Sequence, residues 1–288
     1  MDRSLTVEPA SPGRLRISGA SFQEQYLPAF SVVGDGEVEL RRLAMGGILC
    51  GPRGRLSFVD VVIDQFPLVL TGQATVMWQG GAGGLRLVRG AAARVKGVLL
   101  EQGVSLDDIA HAGLEECRVH PAADAQGATV RLAGLARLDG QEVIIRGGVS
   151  VEDRAELVFR AAHLYGPVAD RFPSVLSVGS FANVELHEVI IQGGQTGIMV
   201  SPWGRPELPL DDVKICASEV ALAADIRCAE SSRSYGLWPP PLALGVTLGP
   251  GGVELISCRV ELCPPCPDAV WPIGLCHILG LIEPIGHR

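Results

Sequence analysis

Aromatic residues make up only 5% of the 288-residue chain, and lysine is confined to Lys96 and Lys214. So few rings predict a core of Val, Ile, Leu and Ala stacked in ladders, in which large rings fit poorly. Basic residues never form a run, and the formal net charge is −8. This argues against a nucleic-acid partner, because phosphate binding rests on clustered positive charge. The 22 arginines beside two lysines read as the codon bias of a GC-rich genome. A long apolar run is also missing: the nearest, from Ala269 to Ile285, is interrupted by Pro272, His277, Glu283 and Pro284 and is too short for a membrane span. The opening Met1-Asp2-Arg3-Ser4-Leu5 lacks the apolar centre of a secretory leader. The expectation is a soluble intracellular protein with no membrane partner, whose eight cysteines stay reduced.

What the chain does contain is a repeat. Apolar residues return at positions one, three, six and eight of an octet: Leu15-Ile17-Ala20-Phe22, Val38-Leu40-Leu43-Met45, Leu56-Phe58-Val61-Ile63, Ala93-Val95-Val98-Leu100 and Ala112-Leu114-Cys117-Val119. The pattern continues in Val130-Leu132-Leu135, Leu157-Phe159-Ala162-Leu164, Val184-Leu186-Val189-Ile191, Val213-Ile215-Ser218-Val220 and Val253-Leu255-Cys258-Val260, with a degraded copy at Ala74-Val76. Such self-similarity decides the fold before any other feature does.

Each half of the octet alternates with period two, as a strand with one apolar face does. The two-residue gap breaks the phase, so in one flat strand the second half would face the opposite way. A hairpin at the gap needs Gly, Asn or Asp at its first position, and the gaps begin with residues such as Ser18, Arg41, Val59, Lys96 and Glu115. A bulge explains an occasional break, not ten at one place in a unit. The corner of a coil explains them all. The predicted fold is all-β, a right-handed parallel β-helix of about 11 coils, stepping 18 or 19 residues through the middle of the chain and rising roughly 4.8 Å per coil. Residues 1–14 are assigned to an N-terminal cap, 15–262 to the β-helix and 263–288 to a Cys- and Pro-rich C-terminal tail that caps it. Glycine pairs at Gly46-Gly47, Gly80-Gly81, Gly147-Gly148 and Gly193-Gly194 mark turns or close approaches of backbone.

Candidate chemistry collects at the end of the chain. Cys263 and Cys266 have a spacing that can fill two corners of a zinc tetrahedron, and Cys276 and His277 could supply others; the alternative is a cap of free cysteines. Cys117 and Cys258 occupy inward places and read as small buried hydrophobes, while Cys50, Cys216 and Cys228 are placed at turns or loops. Trp203, Trp238 and Trp271 lie in Pro-rich loops that interrupt the repeat, which makes them candidate partner contacts. They could equally cover the flanks of the coils. Asp211-Asp212 is the prominent carboxylate pair that could serve a polysaccharide-cleaving solenoid, with Asp107-Asp108 second, and solvated turns are their ordinary explanation. No spacing relates the six histidines, and Gly81-Ala82-Gly83-Gly84 precedes a strand, not the helix that a phosphate loop requires.

The repeat, the stretch from Val184 through Gly193-Gly194 to Pro202, and the tail with Cys263, Cys266, Asp268 and Cys276-His277-Ile278-Leu279 resemble the adenovirus large early T antigen family and its capsid relative, the left-hand-three protein of atadenoviruses. The resemblance implies a right-handed β-helix acting either as an oligomeric capsid-associated protein or as a viral adaptor that binds host regulatory proteins, in the virion or in the host nucleus or cytoplasm. No contact residue of that family maps onto a position here. A weaker likeness, carried by Ala128 to Phe159, is to bacterial lipid-binding β proteins, which would add a long amphipathic helix. The expected function is therefore non-enzymatic and exercised through protein contacts, with a homotrimer as the expected assembly, and without a cofactor unless the tail holds zinc. A polysaccharide lyase or hydrolase is the competing class.

Overall fold

The computed structural model describes residues 29–122, 127–166, 174–179 and 181–192 together with strands at 5–7, 14–18, 26–27, 196–200, 211–218, 220–223, 226–228, 251–256 and 260–261. Among the described residues every regular element is a β-strand and none is a helix. The chain divides into two compact units, Met1–Ala125 with Leu132–Val143, and Gln126–Arg131 with Ile144–Arg288.

The strands pair in parallel and in the register of the octet. In the first unit Leu15 lies beside Val38, Val38 beside Leu56, Leu56 beside Val76, Val76 beside Ala93 and Ala93 beside Ala112. The second half of the octet follows the same rule, with Leu43 beside Val61 and Leu100 beside Val119. Apart from the half-buried Leu15, these inward side chains are buried. Each contributes roughly 1.5–3 kcal/mol when a Val, Leu, Ile or Phe leaves water completely. The result is a parallel-strand solenoid of about seven turns, not the 11 expected.

A turn has three sides, and the octet supplies only two. The third side comes from strands such as Phe30–Gly34, Ile48–Pro52 and Leu68–Thr71, which pair in parallel with one another. They bury Phe30, Val32, Ile48, Cys50, Leu68 and Leu70. Val130–Leu132 is also a third-side strand, so the octet proposed from Val130 is a misreading. The real copy begins at Leu138, which stands in register with Ala112, and Gly140 takes the place beside Leu114. A glycine where the pattern requires a large side chain hid this copy. In the second unit Val184 pairs with Ile215, two residues beyond the expected Val213.

The corner between the first two sides is one residue in the left-handed conformation. Among the described residues it is the second residue of the gap: Arg42 (φ 52), Asp60 (φ 53), Gly80 (φ 69), Gly97 (φ 62), Glu116 (φ 54), Glu142 (φ 54), Ala161 (φ 51) and Glu188 (φ 55). L-residues with side chains pay about 1–2 kcal/mol for this conformation, which the adjoining parallel ladders offset. The return from the third side to the first is a tight turn closed by backbone hydrogen bonds such as Ala91 N to Val88 O, Ala110 N to Asp107 O and Ala155 N to Glu152 O. The residue completing each return is small and buried: Ala74, Ala91, Ala110, Ala136, Ala155 and Ala182. Gly54 takes the same place one turn earlier, where an added Cβ would come within 2.5 Å of the Cys50 Sγ.

Large rings do enter the core, contrary to expectation. Phe58, Trp78 and Phe159 are the largest fully buried side chains, and Phe58 meets Trp78 edge to face at 5.8 Å. Glycines make the room. Gly81 and Gly83 occupy the inward places after Trp78, and a Cβ on Gly83 would stand 2.8 Å from the Trp78 ring. Cys50, Cys216 and Cys228 sit in strands, not in turns as the sequence suggested. The expected C-terminal cap lies outside the described residues.

Candidate functional site

With the interior filled, chemistry is left to the outward positions. On the first side these alternate with buried residues and are mostly polar, as a solvated sheet face requires. Register sets charges on successive turns beside one another. Glu39 lies between Arg16, whose Nη2 donates to it at 2.9 Å from the turn before, and Arg41 on its own strand. The two guanidinium groups cover it so well that it is 1% exposed. The hydrogen bond from Arg16, and with less weight that from Arg41, holds its carboxyl below the usual range against the opposing effect of burial.

Two further clusters follow on the same side. Lys96 bridges Glu115 and Glu116, and the hydrogen bond to Glu115, then that to Glu116, raises the affinity of its ammonium for the proton. His111 Nε2 lies 2.9 Å from Asp139 Oδ2, and Arg137 holds both oxygens of the same carboxylate. Partial burial alone would push Asp139 up, but the bonds from Arg137 and His111 outweigh it and bring the carboxyl down. All three clusters contain solvent-exposed partners. Exposed pairs of this kind add little to stability, because solvent screens them.

A histidine on a carboxylate is two thirds of a hydrolytic triad, yet the register supplies no third member here. The outward neighbours of His111 are Ala92 on one turn, Arg137 on the next and Gly113 along its own strand. Among the described residues no three His, Cys, Asp or Glu side chains gather as a metal site. Cys50 and Cys117 are buried thiols; burial pushes Cys50 up to about 12 and, as the largest influence, raises Cys117 as well. At neutral pH neither is a thiolate, so both are packing groups and not nucleophiles. The Cys117 Sγ donates to the Glu115 carbonyl at 3.2 Å.

Of the carboxylate pairs singled out by sequence, Asp107 and Asp108 form the return turn before His111; Asp108 has φ 64 and Asp107 accepts a bond from Ser105 at 3.4 Å. Asp211 and Asp212 open the strand Asp211–Ser218. The candidate zinc ligands Cys263, Cys266, Cys276 and His277 and the candidate contact residues Trp203, Trp238 and Trp271 all lie outside the described residues. No described helix is long and apolar enough to cross a membrane.

The second side departs from the polar rule. Its inward residues are flanked by apolar outward ones, giving the runs Leu43-Ala44-Met45, Val61-Val62-Ile63 and Val98-Leu99-Leu100 in the first unit and Val189-Ile190-Ile191 in the second. Parallel strands read this way when both faces are covered. The octet template passed over the signal because it left the seventh position unassigned. Other apolar side chains also stand out in water: Leu49, Phe66, Met77, Ile109 and Leu135 are 48–64% exposed. Compared with known protein families, curated proteins and solved structures, the chain matches none.

Proposed function

We propose that the chain is a non-enzymatic scaffold that works through protein contacts. The observation that carries this reading is the set of outward apolar side chains on a coil whose inward positions are taken up by buried apolar ones. Apolar side chains left partly in water along one side of a rigid coil are suited to contact with another macromolecule. The coil is right-handed in this reading, since crossovers between parallel strands take that hand in nearly all cases, and the Cys/Pro-rich tail closes its C-terminal end. The resemblance to the adenovirus early T antigen and capsid proteins supports a viral partner class, either capsid protein or host regulatory protein, with Trp203, Trp238 and Trp271 as additional contacts.

The test is direct. Purified protein is incubated with polygalacturonate, alginate and hyaluronan, and new reducing ends or unsaturated uronates are measured. No cleavage is expected. Cleavage that is lost in an Asp211→Asn/Asp212→Asn variant would instead make the chain a polysaccharide-active enzyme. Metal analysis of the intact protein decides the tail: zinc at one equivalent, lost in Cys263→Ser/Cys266→Ser, would place an ion there.

A further inference from the structure

We infer that the second side of the first unit is a homodimer interface, on which a second copy of this chain packs with its stack running the opposite way. The inference rests on the protein-contact reading and names the partner. Four outward residues stand in one column, joined by the ladder register: Ala44 beside Val62, Val62 beside Ala82, and Ala82 beside Leu99. All four are only half-buried. The column carries no charge although the chain carries −8, so two copies can approach here without setting like charges against each other.

The order of sizes is small, large, small, large. A two-fold axis in the plane of the sheet, lying along the strands between the Val62 and Ala82 turns, reverses that order in the partner. Ala44 of each copy then meets Leu99 of the other, and Val62 meets Ala82. Every large side chain faces a small one, in both directions, as an isologous interface demands. The pitch also matches, because both stacks repeat at the same strand spacing of roughly 4.8 Å. The corners bordering the column obey the same pairing. Arg42 falls opposite the turn of Gly97 and Asp60 opposite that of Gly80. Charged corners thus meet glycine corners. The column ends at Arg118, in register with Leu99, and at Tyr26, in register with Ala44; these positions exchange places across the same axis.

Sedimentation equilibrium of the full chain tests the assembly. A mass of twice 30.4 kDa is expected. Val62→Asp/Leu99→Asp, which buries unpaired carboxylates in the interface, should weaken association by at least about 100-fold with an unchanged circular dichroism spectrum. A monomeric wild type, a three-fold mass, or a folded double variant that remains dimeric overturns the inference. Orientation is read independently of that variant. Ala44→Cys and Leu99→Cys proteins are mixed and treated with a short thiol cross-linker, and a cross-linked product absent from wild type is expected in the mixture but not from either variant alone. Equal cross-linking of Ala44→Cys with itself overturns the antiparallel packing. These outcomes differ from glycan cleavage, which would remove the protein-contact reading itself.

Discussion

Two glycines one turn apart separate backbone conformation from space. Gly97 has φ +62, and a Cβ added to it would meet nothing within 4 Å. Gly97→Ala therefore costs only the left-handed conformation, about 1–2 kcal/mol, reduced by the 0.4–1 kcal/mol or so that alanine gains by restricting the unfolded chain. A net loss near 1 kcal/mol is expected, and the corner should persist because Arg42, Asp60, Glu116 and Ala161 adopt it elsewhere. Gly81 has φ +99, and its added Cβ would lie 2.0 Å from the Val61 carbonyl oxygen and 2.7 Å from that residue's C and N. Backbone cannot swing aside as a side chain does. Gly81→Ala must push two turns apart and break their ladder, so a loss above about 4 kcal/mol is expected, in the exceptional range for one substitution. Urea unfolding followed by far-ultraviolet circular dichroism compares the two variants with wild type. Equal losses, or a neutral Gly81→Ala, would refute the assignment of Gly97 to an open corner and Gly81 to a contact between turns.

Trp78→Phe removes an indole Nε1 that is buried without a hydrogen-bond partner; the relief of about 1–3 kcal/mol should offset much of the cavity cost, and Gly83→Ala should be better tolerated in that background, as a double-mutant cycle would show. Glu39 has a folded pKa below its unfolded one, so its contribution is present above the ordinary carboxylate range and disappears as pH falls through the folded value. Hydrogen exchange in Arg14–Ser18 should therefore accelerate in acid, and Glu39→Gln should show that faster exchange already at neutral pH. Cys50 and Cys117 should resist alkylation in the folded protein at pH 8 and react once it is unfolded, with peptide mapping to distinguish them from the other cysteines; rapid labelling of native Cys50 would contradict its burial and its pKa of about 12.

Two sides of the coil were legible because Val38-Leu40-Leu43-Met45 and Leu56-Phe58-Val61-Ile63 keep alternation on each side of a fixed gap. The third side was not, since Ile48-Cys50 and Leu68-Leu70 are too short to declare a period and follow corners of changing length. The return turn had a readable mark, the small residue two places before each octet, as in Gly54, Ala74 and Ala110, but alanine alone has no periodic signature. Register at Leu138 was hidden by Gly140. The outward column of Ala44, Val62, Ala82 and Leu99 could have been found by asking which of the skipped positions were apolar. The His111–Asp139–Arg137 cluster could not, because stacking brings His111 from the neighbouring turn onto the Arg137–Asp139 pair.

The single-residue corner has a consequence for how this chain can change its length. Lys96 and Glu115, 19 residues apart, occupy equivalent places just before two successive corners. Cutting the chain before one corner and rejoining it before the next preserves every inward phase. Removing one residue less would turn a whole side inside out. Whole turns are therefore the natural unit of duplication and excision here, while single-residue insertions survive only where the chain leaves the ladder.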